Sequence, residues 1–79
     1  MRVISEKSDG EIKITVFAWN EKILLKFESG MYEQTYKVKE MDISGEGDVT
    51  TLLKNAEFIA SVRTRFREMH KDFVSKLDL

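Results

Sequence analysis

A lone histidine, His70, is the only side chain of this 79-residue chain suited to general acid–base work near neutral pH. On a helix its neighbours at three and four residues are Phe66, Arg67, Phe73 and Val74. None is a carboxylate, so neither a Glu-x-x-His metal pair nor a polarised base is encoded locally. His70 therefore reads as a histidine on a helix flank with no catalytic role. The cysteine count is zero, which removes thiolate nucleophiles, thiolate metal sites and disulfides together. The run Gly45-Glu46-Gly47-Asp48 ahead of a helix lacks the Gly-Lys-Ser/Thr ending of a phosphate loop, and its carboxylates repel anions. The sequence thus gives no reason to expect an enzyme, a metal or a cofactor.

Binding chemistry is better represented. Phe17, Trp19 and Leu24 form an apolar patch on what should be the solvent face of a sheet, with Lys22, Lys26 and Lys37 around it. Aromatic rings ringed by lysines stack bases and track the backbone in many single-strand binders. The same residue types anchor protein interfaces. A third reading is cover by another part of the chain. A second candidate is the stripe Arg63, Arg67 and Lys71 at i, i+4 and i+8, close to Arg65 and Lys76 and interleaved with Glu68 and Asp72. It suits either a solvated helix face or an acidic partner surface.

These residues must be placed by their elements. Turn signals at Ser8-Asp9-Gly10, Asn20-Glu21 and Ser29-Gly30 separate runs rich in β-branched and aromatic residues, which predicts an antiparallel meander. A two-residue loop at Asn20-Glu21 sets Ala18 opposite Ile23, and Lys13 opposite Glu28. One at Ser29-Gly30 sets Phe27 opposite Tyr32, and Lys26 opposite Glu33. Both turns place Ile12, Ile14, Val16, Ile23, Leu25, Phe27, Tyr32, Tyr36 and Val38 on one face. For the first strand two turns are open: a three-residue Ser8-Asp9-Gly10 loop with Gly10 left-handed puts Ile4 on that face, the favoured reading, and an Asp9-Gly10 turn puts Val3 there.

Alternation fails after Lys39, so residues 40–47 read as a loop, with Met41 and Ile43 tucked over the core edge. Asp48 is the expected helix N-cap. From there Leu52, Ala56, Ile59, Val62, Phe66, Met69, Phe73 and Leu77 recur at the helical period, predicting helix over 48–77. Unbroken, it would run to ~43 Å at 1.5 Å per residue, against a four-strand sheet ~15–20 Å wide. A break near Lys54-Asn55-Ala56 is therefore expected, with the later segment projecting and leaving Phe73 and Leu77 without a partner.

The expectation is an α+β fold, ββββα, in one domain over 1–79: sheet about 2–39, loop 40–47, helix 48–77. A domain this short buries only ~60% of its unfolded surface, so reinforcement by self-association is the route left open. The formal net charge of −1 argues against a dedicated DNA binder, although residues 1–62 carry −3 and residues 63–79 carry +2. The longest apolar run, Val16 to Trp19, cannot span a membrane, and the charged N-terminus lacks a signal-peptide core, so a cytoplasmic location is expected.

The run from Thr15 to Glu28, continuing through Glu33-Gln34-Thr35-Tyr36, together with Glu57-Phe58-Ile59 and Arg65-Phe66, resembles a group of small uncharacterised proteins of Bacteroidetes-type bacteria. That likeness covers about two thirds of the chain, through framework residues, and implies a bacterial cytoplasmic origin without an activity. The ββββα order also resembles a repeat of the PUR-type single-stranded nucleic-acid-binding proteins, in architecture alone. The functional expectation is a non-enzymatic protein-interaction module that self-associates, as a homodimer, or binds another protein. The alternative is single-stranded nucleic-acid binding through the outer sheet face.

Overall fold

In the computed structural model, which describes residues 1–43 and 46–77, the chain is one antiparallel sheet followed by two helices. The strands are β1 (Arg2–Asp9), β2 (Ile12–Trp19), β3 (Lys22–Ser29) and β4 (Tyr32–Lys39), in the order β1-β2-β3-β4. A 3-10 turn (Glu40–Asp42) leads towards α1 (Glu46–Leu53) and α2 (Ala56–Leu77). The ββββα layout follows from the period-two alternation of the first half and the helical repeat of the second.

All three hairpins close through two residues. At Asn20-Glu21 both residues have positive φ, 56° and 64°, as a type I′ turn demands. The register there is as expected, with Ala18 opposite Ile23 and Lys13 opposite Glu28. The last hairpin differs. Its turn residues are Gly30-Met31, so Phe27 lies opposite Gln34, not Tyr32, and Leu25 opposite Tyr36. The glycine prefers the first turn position, where φ is +59° and any side chain would be strained. This moves the register by two residues. Because side chains repeat every two, every residue keeps its face.

The first hairpin does not close through the expected three-residue Ser8-Asp9-Gly10 loop but through a two-residue turn at Gly10-Glu11, with Asp9 opposite Ile12. Taken alone, that turn would aim Val3 at the core. A bulge between Val3 and Ser5 takes up the extra residue, so Val3 lies opposite Phe17 on the outer face while Ile4 packs against the core.

The core lies between the sheet and both helices. Phe27, Ile14, Val16 and Val62 are the largest fully buried side chains, joined by Ile12, Ile23 and Leu25 from the sheet and Val49, Leu53, Ile59 and Phe66 from the helices. Phe27 meets Tyr36 and Phe58 edge-on, with ring centroids 5.9 and 5.8 Å apart. Gln34 intrudes on this face, and its Nε2 donates to the Val62 carbonyl at 3.0 Å, tying β4 to α2.

The helical segment breaks where expected. Amides of Lys54 and Asn55 donate back to Thr51 and Leu52, closing α1, and Asn55 Oδ1 accepts from the Phe58 amide at 3.0 Å to cap α2. Asn55→Ala is expected to cost about 1 kcal/mol, the usual worth of an N-cap, read as a lower urea midpoint. An unchanged midpoint would show that packing alone sets the break.

Two expectations fail upstream of it. Asp48 is not an N-cap, because α1 starts at Glu46 and places Asp48 inside its first turn, where a carboxylate still complements the helix dipole. The segment 40–47 is therefore only partly loop, and residues 44–45 lie outside the described residues. Ile43 does pack on the core edge, but Met41 is exposed, carried outward by the 3-10 turn.

Candidate functional site

Both helices pack on the face that carries Ile12, Ile14 and Val16, and among the described residues no layer covers the opposite face of the sheet. Trp19 is 55% exposed there, so cover by the chain itself does not account for the aromatic patch. Phe17 is half-buried. Leu24 is only 6% exposed yet stands apart from the main core cluster. With no helix on its side, its cover comes from neighbours on the face: Phe17 and Lys37 lie directly across from it on β2 and β4. Long lysine stems shield an apolar neighbour while their ammonium groups stay in water.

The strand register orders this face into rows. At the end nearest the Asn20-Glu21 turn, Trp19 neighbours Lys22, and Lys22 neighbours Lys39. The next row is Val3, Phe17, Leu24 and Lys37. These two rows hold three lysines and no carboxylate, and among the described residues none of the three lysines is in an ion pair.

The other end is mixed, with Glu6, Thr15, Lys26 and Thr35 in one row and Ser8, Lys13, Glu28 and Glu33 in the last. Glu28 and Glu33 face each other directly, an unfavourable pair relieved by Lys26, whose Nζ lies 3.9 and 3.6 Å from them. Lys26 thus reaches Glu33 diagonally, whereas the expected register had them opposite. Of the six surface residues singled out from sequence, Phe17, Trp19, Lys22 and Lys37 gather at the basic end. Leu24 is their buried support, and Lys26 belongs to the acidic end.

Val3 and Lys39 complete the patch and were missed. Lys39 shares the parity of Lys37, which was a usable signal. The expected placing of Ile4 on the core face already turned Val3 outward, but its position opposite Phe17 depends on the bulge.

The stripe Arg63, Arg67 and Lys71 is not one uniform surface. Arg63 Nη2 donates to the Asp9 carbonyl at 3.2 Å and lies 3.5 Å from its carboxylate, holding α2 to the end of β1. Arg65 Nη1 donates to Tyr36 Oη at 3.0 Å on the other flank. Arg67 lines a cleft of about 790 Å³ between α2 and the Gly10-Glu11 and Gly30-Met31 turns, and Lys71 is exposed beyond it.

His70 also reaches this cleft, hydrogen-bonded through Nδ1 to Tyr32 Oη at 2.8 Å with the two rings edge to face. Tyr32 is 38 residues away in sequence, so no local spacing could pair it with His70. Past this point α2 runs on beyond the sheet. Phe73 still touches Tyr32 edge-on but is 46% exposed, and Leu77 is 52% exposed.

Among the described residues no cluster of three or more His, Asp or Glu side chains is arranged to hold a metal, and no helix is long and apolar enough to cross a membrane. No protein-family model, curated protein or solved structure matches the chain.

Proposed function

We propose that the chain is a non-enzymatic interaction module that self-associates as a homodimer through its outer sheet face. The observation that carries this reading is the open face itself: exposed Trp19 beside Phe17 and Leu24, with both helices on the other side. An apolar patch with a large aromatic at its edge is the usual anchor of a protein contact.

Charge favours a second copy as the occupant. One end of the face carries Lys22, Lys37 and Lys39 with no carboxylate, and the other carries Glu6, Glu28 and Glu33 against Lys13 and Lys26, so it is only weakly acidic. A two-fold axis lying between two stacked faces and running across the strands sets each basic end over the partner's acidic end. Such a contact is self-complementary, as an isologous dimer requires. The thin stability margin of a domain this small gives the association a further role, since a partner that binds only the folded chain stabilises it. The test is the solution mass from micromolar to several hundred micromolar protein. A dimer that weakens as salt rises is expected, and a monomer throughout overturns the proposal.

A second reading is favoured by one feature, the three lysines without ion pairs around Trp19. A single-stranded nucleic acid would stack bases on Trp19 and Phe17 and run its phosphates along Lys22, Lys37 and Lys39. It predicts that oligonucleotides quench Trp19 fluorescence at low salt, with the effect fading as salt rises. Absence of quenching at low salt removes this reading.

A further inference from the structure

We propose that the cleft between α2 and the Gly10-Glu11 and Gly30-Met31 turns is a small-molecule site for a phosphate monoester carried on an apolar ring. It lies at the end of the sheet away from the Trp19 patch and on the helix-bearing side, so it is independent of the self-association reading. The volume of about 790 Å³ falls within the range of ligand sites, ~300–1,000 Å³.

The walls differ in chemistry. Ile12 and Phe66, 3% and 6% exposed, supply apolar surface at its inner end. The helix wall supplies donors. Arg67 is exposed and, among the described residues, makes no hydrogen bond or ion pair, in contrast to Arg63 and Arg65, whose guanidinium groups are spent on Asp9 and Tyr36. A planar guanidinium left unpaired at a cleft is suited to bidentate phosphate recognition.

His70 stands one turn further along, its ring fixed by Tyr32. A phenol donates readily to an imidazole nitrogen, and with Nδ1 accepting, the ring proton sits on Nε2 as a second donor. On the turn side Gly10 and Gly30 present no side chain. A Cβ at Gly30 would meet nothing within 4 Å, and one at Gly10 would meet only the Arg63 guanidinium at 3.5 Å. The central residues of a two-residue hairpin leave their amides outside the ladder. Glu11 is the opposing charge, and Asp9 is already neutralised by Arg63.

These features fix the ligand class. The donors suit a compact oxyanion, and the apolar inner end suits a ring attached to it. Phenyl phosphate, inorganic phosphate and phenol are the probes, titrated into the full chain and followed by amide and His70 ring chemical shifts. Phenyl phosphate is expected to shift Gly10, Gly30, Arg67 and His70 saturably and to bind more tightly than either fragment. Arg67→Gln is expected to weaken it roughly tenfold by removing the charge-assisted pair. Glu11→Gln is expected to tighten it roughly threefold by removing the repulsion. Both substitutions are on exposed side chains and leave the fold in place, which the undisturbed shifts of the core verify. Absence of saturable shifts at the cleft, or an Arg67→Gln variant that binds as well as the parent, overturns the site. Equal affinity for inorganic phosphate and phenyl phosphate overturns the ring-bearing class.

Discussion

Trp19→Asp is expected to raise the dissociation constant of the proposed dimer about 30-fold or more while leaving the circular dichroism spectrum unchanged. A buried aromatic anchor is worth ~2 kcal/mol or more to an interface, and each 1.4 kcal/mol is a factor of ten. The aspartate adds a desolvation cost if it is carried into the contact. The fold should not suffer, because Trp19 is 55% exposed at the end of β2 and takes no part in the main core. Light scattering across a dilution series reads the result directly. A variant that dimerises as well as the parent would move the interface away from the sheet face. The projecting end of α2, with Phe73 and Leu77 half-exposed and Met31 94% exposed at the neighbouring turn, would then be the surface to substitute next.

Phe27→Ala is expected to be the most damaging single substitution for the fold. Phe27 is fully buried in the middle of β3, where its ring is held edge-on by Tyr36 and Phe58. Truncating such a residue costs ~3–5 kcal/mol, through lost transfer free energy and the cavity left behind. At ~0.05–0.15 kcal/mol per residue a domain of this size has ~4–12 kcal/mol in all. The substitution should therefore remove about a quarter or more of the total stability, read as a large drop in the urea midpoint. Phe27→Leu keeps most of the volume and should stay folded, losing ~1.5 kcal/mol or less, so a graded series remains measurable by urea denaturation. If the alanine variant lost no more stability than a surface substitution, the packing around Phe27 would have to be redrawn.

The way the two hairpin predictions fared shows how a sequence determines faces more firmly than partners. Moving the last turn from Ser29-Gly30 to Gly30-Met31 changed every pair between β3 and β4. It moved no side chain to the other face, because the alternation has a period of two and the shift was two residues. The pattern of apolar residues is a face signal and is blind to even shifts. Only the φ preference of Gly30 chose between them. The first strand shows the converse, since the change from the Ser8-Asp9-Gly10 loop to the Gly10-Glu11 turn shifts the register by an odd number of residues and by itself would have inverted the whole strand. The bulge near Ile4 prevented that for residues 2 and 3, and a bulge leaves no fixed mark in the alternation.

By itself, then, the sequence determined the ββββα order, the core face of β2, β3 and β4, the helix break at Asn55 and the grouping of Phe17, Trp19, Lys22 and Lys37 on one side of a sheet. Each of these follows from local periodicity or a single capping residue, which neighbours in the chain suffice to specify. The tertiary structure alone decided that no described part of the chain folds back over the outer face, and that a bulge brings Val3 opposite Phe17 on it. It also decided that His70 is held by Tyr32, and that Arg67 stands unpaired at a cleft while Arg63 and Arg65 are taken up. Those facts depend on the angle at which α2 crosses the sheet and how far it runs past the hairpin turns. That geometry comes from packing between residues tens of positions apart, where no spacing along the chain records which side chains will meet.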